Sequence, residues 1–261
     1  MIIDIHTHAW PEKVSLSARE KLEFHRVVKF VGDPTVATLT SFMSRNKIDY
    51  SVICAVASRP EQVTSINNWL FSIKEPGIKY FCALHPGYPG WKEELSRIRQ
   101  RAAGIKFQPS FQAFMVDDEK IFPVYERIEE LGLALLIHSG EELDPTLPIR
   151  ANPERILAVH KKFPGLKMIA AHFGGFRHWD AVREYLLGRD IYLDTSSFFG
   201  YLPDDQARSL ILGHPADRIL FGTDFPLRDQ KEDLDHLDRL GLPLELKEKI
   251  LSGNARRLLG I

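Results

Sequence analysis

Met1-Ile-Ile-Asp-Ile-His-Thr-His8 is the stretch on which the reading of this chain turns. An apolar run ends in two imidazoles at i and i+2, and residues at that spacing on a strand share a face. His6 and His8 therefore point together, and the same alternation puts Asp4 on their side. Two histidines held by a strand supply half of a metal site, because neutral imidazole is the commonest protein ligand for such ions. Asp4 is then a candidate partner that orients one of the rings.

The motif is one instance of a repeating pattern. Short apolar runs occupy 2–5, 50–56, 79–84, 104–107, 134–137, 167–171, 191–193 and 218–221. Amphipathic stretches separate them at 35–45, 61–74, 92–101, 120–131, 153–162, 180–187 and 204–212, with a helical set from 229 onward. Strands that alternate with helices pair in parallel. Eight such units in 261 residues predict an α/β fold, a (β/α)8 TIM barrel spanning 1–261 as one domain. Asn152-Pro153-Glu154 reads as a helix cap, a proline in the first turn and an early acid. Gly132, Gly165 and Gly188 fall where helices end before the next strand. Residues 9–33 form the one oversized connection and are expected to overhang the barrel mouth as a lid.

Composition narrows the function. A net charge of −1 offers no basic surface for nucleic acid, and the alternating Arg97, Arg99 and Arg101 read as an exposed helix face. No apolar run approaches the length of a membrane span. Cys54 and Cys82 lie inside apolar runs and read as small buried hydrophobes. The first strand begins at residue 2 and leaves no room for a signal peptide, so a cytoplasmic enzyme is expected.

In a TIM barrel the working residues sit at the C-terminal ends of the strands. Here those ends carry His6 and His8, His85, Lys106, His138, His172, Asp194 and Asp224. Burying a histidine or carboxylate costs several kcal/mol unless it is paired or ligated, so a cation is the economical explanation for so many meeting around one axis.

With these residues in place, the chain resembles the amidohydrolase superfamily of metal-dependent TIM-barrel enzymes. It is most similar to the amidohydrolase-2 branch, which mixes uncharacterised hydrolases with decarboxylases of the aminocarboxymuconate-semialdehyde type. The markers are Asp4-Ile-His6-Thr-His8, Gly104-Ile-Lys-Phe, Ile137-His138-Ser-Gly, Ala171-His172-Phe-Gly-Gly, Leu193-Asp194-Thr-Ser, Phe221-Gly-Thr-Asp224-Phe-Pro and Asn254-Ala-Arg-Arg-Leu. The resemblance implies a metal held by His6, His8, His138 and Asp224, a set that suits one Zn2+, with Mn2+ or a second ion as variants. It implies that Asp224 also accepts a proton from a metal-activated water. His172 then acts as acid or base, polarises a carbonyl, or joins Lys106 around a second ion. Lys106 either faces a substrate carboxylate or carries a bridging carbamate.

Trp10, Arg177 and His178 are candidate substrate contacts, and Phe198, Phe199 and Tyr201 candidate pocket walls. The expected activity is hydrolysis of an amide, ester or lactone in a small carboxylated molecule. Non-oxidative decarboxylation of an aromatic or enol-type acid is the alternative. A TatD-like nuclease shares the two-histidine opening, but such enzymes place a glutamate on strand 4 and Glu-Thr-Asp on strand 8. This chain has Lys106 and Gly-Thr-Asp224 there. The expected partner is a small-molecule substrate, without nucleic acid or membrane, and a homodimer is the assembly compatible with this reading.

Overall fold

The computed structural model describes residues 1–23 and 29–261. Eight parallel strands follow one another in chain order around a single sheet. They are β1 (Ile3–Thr7), β2 (Tyr50–Cys54), β3 (Ile78–Ala83), β4 (Gly104–Phe107), β5 (Ala134–Ile137), β6 (Lys167–Ala170), β7 (Tyr192–Asp194) and β8 (Ile219–Leu220). β1 meets the segment after β8 through backbone bonds from Ile5 to Phe221 (2.9 Å), Asp224 to His6 (2.8 Å) and His8 to Phe225 (2.6 Å). The sheet is thereby rolled into a nearly closed (β/α)8 barrel, with helices α2 (Val36–Asn46) through α9 (Gln230–Arg239) between and after the strands. α1 (Glu12–Glu23) lies in the connection read as a lid, part of which falls at 24–28, outside the described residues. No helix among the described residues is long and apolar enough to cross a membrane.

The apolar residues divide into two layers. One fills the barrel with Ile3, Ile5, Val52, Phe81, Leu136 and Ile169, and Ala255 and Leu258 of α11 (Asn254–Leu259) join it. The larger layer lies between the strands and their helices. Strands buried on both faces explain why the sequence shows continuous apolar runs rather than alternation. Cys54 and Cys82 are free thiols within these layers. Local capping follows the sequence as well: the Asn152 side chain accepts from Arg155 N, and Pro153 opens α6 (Pro153–Lys162).

β1 departs from regular alternation. Asp4 pairs with Ser51, but Thr7 pairs with Ile53, so the register slips by one residue between them. A bulge of this kind reverses the inside–outside parity beyond it. Ile3 and Ile5 join the barrel interior, yet His6 and His8 line the cavity at its mouth. Asp4 ends up bonded to Gln230 at the start of α9.

Candidate active site

A cavity of about 410 Å³ opens at the C-terminal ends of the strands, the face where this architecture places chemistry. His6, His8, Lys106, His138, His172 and Asp224 all line it. The segments that follow β6, β7 and β8 hold non-glycine residues at positive φ: His172 (58°), Ser197 (46°) and Asp224 (70°). Left-handed backbone costs a non-glycine residue roughly 1–2 kcal/mol, and such strain is concentrated where side chains are aimed for function.

Each imidazole is anchored on its outward nitrogen. His6 Nδ1 lies 3.0 Å from Asp194 Oδ2, and His8 Nδ1 lies 2.9 Å from the Cys54 carbonyl. His138 Nε2 lies 3.0 Å from the Glu141 carbonyl, and His172 Nδ1 lies 3.1 Å from the Ser196 carbonyl. Carboxylate and carbonyl oxygens only accept, so each of these nitrogens carries the proton and donates. Burial keeps three of the rings neutral. It lowers the pKa of His6 to about 3 and that of His138 to about 3, helped in both by the nearby Lys106 charge. Burial, with His138 alongside, lowers His172 to about 4.

A neutral ring with one nitrogen protonated presents a lone pair at the other. His6 Nε2, His138 Nδ1 and His172 Nε2 therefore turn acceptors inward, and His8 Nε2 faces the same space. His138 Nδ1 and His172 Nε2 face each other at 2.9 Å, and His8 Nε2 faces Asp224 Oδ1 at 3.1 Å. A shared proton or a bound cation reconciles groups so close. His6 Nε2 lies 3.7 Å from Asp224 Oδ1, and the ligand atoms of His6, His8 and Asp224 lie within 4.8 Å of one another. Two ligands about 2.1 Å from a common ion stand roughly 3.0–3.4 Å apart for angles between a right angle and a tetrahedral one. His8 and Asp224 stand at that spacing, His6 is a few tenths of an ångström wider, and His138 lies outside the groups of ligand atoms within 4.8 Å of one another among the described residues.

Asp224 is the anionic member. Burial alone would raise its carboxyl, but contact with His8 and the fields of His6 and His172 outweigh burial and hold it well below the usual carboxylate range. Its second oxygen accepts from Ser197 Oγ at 2.7 Å. Lys106 is 1 % exposed, and its Nζ lies 3.1 Å from His6 Nε2. The ammonium donates to the lone pair that a metal would use.

The other sequence candidates are distributed differently. Asp4 touches no imidazole among the described residues. Its carboxylate accepts from Thr223 Oγ1 (2.7 Å), Gln230 Nε2 (2.9 Å), Thr223 N (3.1 Å) and His6 N (3.3 Å), so it ties the backbone of β1 to the segment after β8. The bulge is the reason, since it turns Asp4 away from the histidines. The residue that orients His6 is Asp194, whose pKa the imidazole lowers to about 2 against the opposing effect of burial. Trp10 lines the cavity and stacks on His8 with centroids 6.1 Å apart.

Arg177 and His178 do not line the cavity; both reach Glu141, at 3.5 Å and 3.4 Å. Phe198 and Phe199 are packed in the core, and Tyr201 stands behind Phe176 with centroids 4.9 Å apart. His85 turns back to accept from Gly87 N and stays outside the cavity. Sequence reading assigned no role to Glu142, a buried carboxyl on the cavity wall, or to Gln108, whose Nε2 lies 3.0 Å from both of its oxygens.

A barrel with an imidazole-rich cavity at its mouth defines the class, and comparison supplies the family. The chain belongs to the amidohydrolase family, whose model matches residues 3–261. It is an enzyme of that metal-dependent superfamily. The fold is similar to that of an uncharacterised TIM-barrel protein from Bordetella bronchiseptica, with TM-score 0.74, 20% identity, and 99% of this chain and 98% of that one covered. It is also similar to a protein from Pseudomonas putida assigned as a 2-pyrone-4,6-dicarboxylic acid hydrolase, with TM-score 0.69, 17% identity, and 99% and 97% covered. A third similar structure is a dihydroxybenzoic acid decarboxylase from a Polaromonas species, solved with manganese and 2-nitroresorcinol. There the TM-score is 0.71 and the identity 18%, with 99% and 96% covered.

Proposed function

We propose that this protein is a metal-dependent hydrolase that opens an ester, lactone or amide bond in a small carboxylated molecule. The observation that carries the reading is the outward anchoring of four imidazoles, which leaves their other nitrogens and the Asp224 carboxylate facing inward. His6, His8, His138 and Asp224 would hold the ion. Three nitrogens and one oxygen suit Zn2+ best. An ion bound there supplies Lewis-acid polarisation and lowers the pKa of a coordinated water toward about 7.

The chain's own groups do the rest. Asp224, ionised at neutral pH, accepts a proton from the attacking water. His172, neutral and with Nε2 turned inward, takes that proton on from Asp224 and passes it to the leaving group. The Lys106 ammonium pairs with the substrate carboxylate on the cavity floor. Trp10, stacked on His8, gives a flat wall for a planar substrate.

Decarboxylation is the second reading, and one feature favours it. Much of the wall is apolar, from Trp10, Phe30, Phe111, Leu143, Leu147 and Phe176. Such a wall strips water from a carboxylate and lessens its ground-state stabilisation relative to neutral CO2. Zinc- or manganese-loaded protein given a panel of aryl esters, lactones, amides and hydroxybenzoates separates the readings. Acid release without CO2 supports hydrolysis, CO2 release supports the second reading, and turnover of none of the panel counts against both.

A further inference from the structure

The cavity has two chemically unequal ends. Its floor holds Lys106 and the inward-facing donors. Its outer wall follows the segment after β5, which contributes Glu141, Glu142 and Asp144. Among the described residues that line the cavity, Lys106 is the sole lysine or arginine. Glu141 is offset by Arg177 and His178, and Asp144 accepts from the Thr146 backbone and hydroxyl at 2.9 Å and 2.7 Å.

Glu142 stands apart from these. It is 6 % exposed, and no lysine or arginine among the described residues pairs with it. Gln108 Nε2 lies 3.0 Å from each oxygen, and His138 Nε2 lies 3.3 Å from one of them. The Ser110 hydroxyl is a further partner, and the carboxyl forms part of the cavity lining, where a substrate donor can compete for it. Gln108 is itself held in place, since its backbone N–H donates to Gln112 Oε1 at 2.9 Å. Gln112 Nε2 in turn bonds the Ala57 and Leu84 carbonyls at 2.9 Å and 2.6 Å. The acceptor wall is therefore pinned to the strand ends of β2, β3 and β4.

We infer that Glu142 determines specificity: it accepts a hydrogen bond from a hydroxyl or amino group of the substrate and excludes a second carboxylate. The inference rests on the reading that a substrate carboxylate occupies the floor beside Lys106. Discrimination of this kind uses an attractive contact and a repulsive one together. The donor is rewarded, and an anion would face a buried acceptor that no lysine or arginine among the described residues pairs with. The substrate class is thus a planar monocarboxylate with a hydroxyl or amino substituent, and not a dicarboxylate.

Isothermal titration of zinc-loaded protein with benzoate, meta-hydroxybenzoate and isophthalate tests this directly. The hydroxy acid is expected to bind about tenfold more tightly than benzoate, and isophthalate about tenfold more weakly. Glu142→Gln keeps an acceptor oxygen, so it should retain the hydroxyl preference while admitting isophthalate. Glu142→Leu should lose both discriminations, with zinc content measured alongside to exclude an indirect effect through His138. Isophthalate binding as tightly as benzoate to the unaltered protein overturns the inference, as does an unchanged ranking in Glu142→Leu. Benzoate bound with a flat ranking removes the Glu142 subsite alone. Failure of benzoate to bind removes this inference together with the carboxylated-substrate reading.

Discussion

Asp194→Asn tests the anchoring of the imidazoles most directly. Asp194 Oδ1 accepts from His172 N at 3.0 Å, from Ser196 N at 3.0 Å and from Ser196 Oγ. An asparagine must leave its carbonyl oxygen at that position, because an amide NH2 cannot accept from three donors. Its NH2 group is then forced into the place of Oδ2, 3.0 Å from His6 Nδ1. A donor facing Nδ1 drives the ring proton to Nε2 and removes the lone pair that faces the cavity. Partners that orient metal-binding histidines are worth about 10–100-fold in metal affinity, which is roughly 1.4–2.7 kcal/mol. Competition with a chromophoric chelator should show the zinc dissociation constant rising by that factor, with circular dichroism unchanged. A folded Asp194→Asn protein that binds zinc as tightly as the unaltered chain would refute the tautomer argument and, with it, the orientation assigned to His6.

Three further expectations follow from individual residues. Gly140 sits at φ +93°, and a Cβ there would lie 2.2 Å from Phe176 N, so Gly140→Ala should destabilise the fold by about 1–3 kcal/mol. Thermal melting would show this as a drop of roughly 2–4 °C per kcal/mol, and an unchanged Tm would contradict the tight join between the segments after β5 and β6. Burial lowers the pKa of His214 from 6.5 to about 4, its Nε2 donating to the Ile191 carbonyl at 2.9 Å while Nδ1 has no partner. Between those values the unfolded chain binds a proton that the native protein does not, so stability should fall as pH falls through that window. The slope of Tm against pH should be shallower in His214→Gln. Lys106, donating to His6 Nε2, should appear as an unmodified amine in the intact mass of zinc-loaded protein, and Lys106→Met should raise KM for a carboxylated substrate far more than for its uncharged analogue; a carbamate mass would overturn that assignment.

Much of the architecture was legible because a parallel barrel writes itself as apolar runs. Gly104–Phe107 and Ala134–Ile137 coincide with β4 and β5 residue for residue, since both are short, wholly buried and bounded by residues that break the run. β7 and β8 were displaced or shortened, because neither has more than a few residues and the boundary depends on pairing. The convergence of His6, His8, His138, His172 and Asp224 on one cavity was legible for a similar reason: each follows a recognisable strand. Glu142 was not, because it lies on an irregular connection whose path obeys no periodicity.

The misreading of Asp4 has the most instructive cause. Strict alternation puts Asp4 with His6 and His8, and a single slipped register between Asp4 and Thr7 undoes it. No residue type in Asp4-Ile-His-Thr announces the bulge. It arises because β1 must bond β2 on one side and the segment after β8 on the other, where Asp224 N donates to the His6 carbonyl at 2.8 Å. The same slip lets Asp4 hold the Thr223 backbone and hydroxyl, one residue before Asp224, while His6 turns inward to the cavity. Two of the remaining anchors, the carbonyls of Cys54 and Glu141, belong to the backbone and have no side-chain signature at all. Residue identity therefore names the groups that can grip a metal. Which nitrogen each ring offers is decided by neighbouring strands and loops, and becomes visible only once the barrel has been closed.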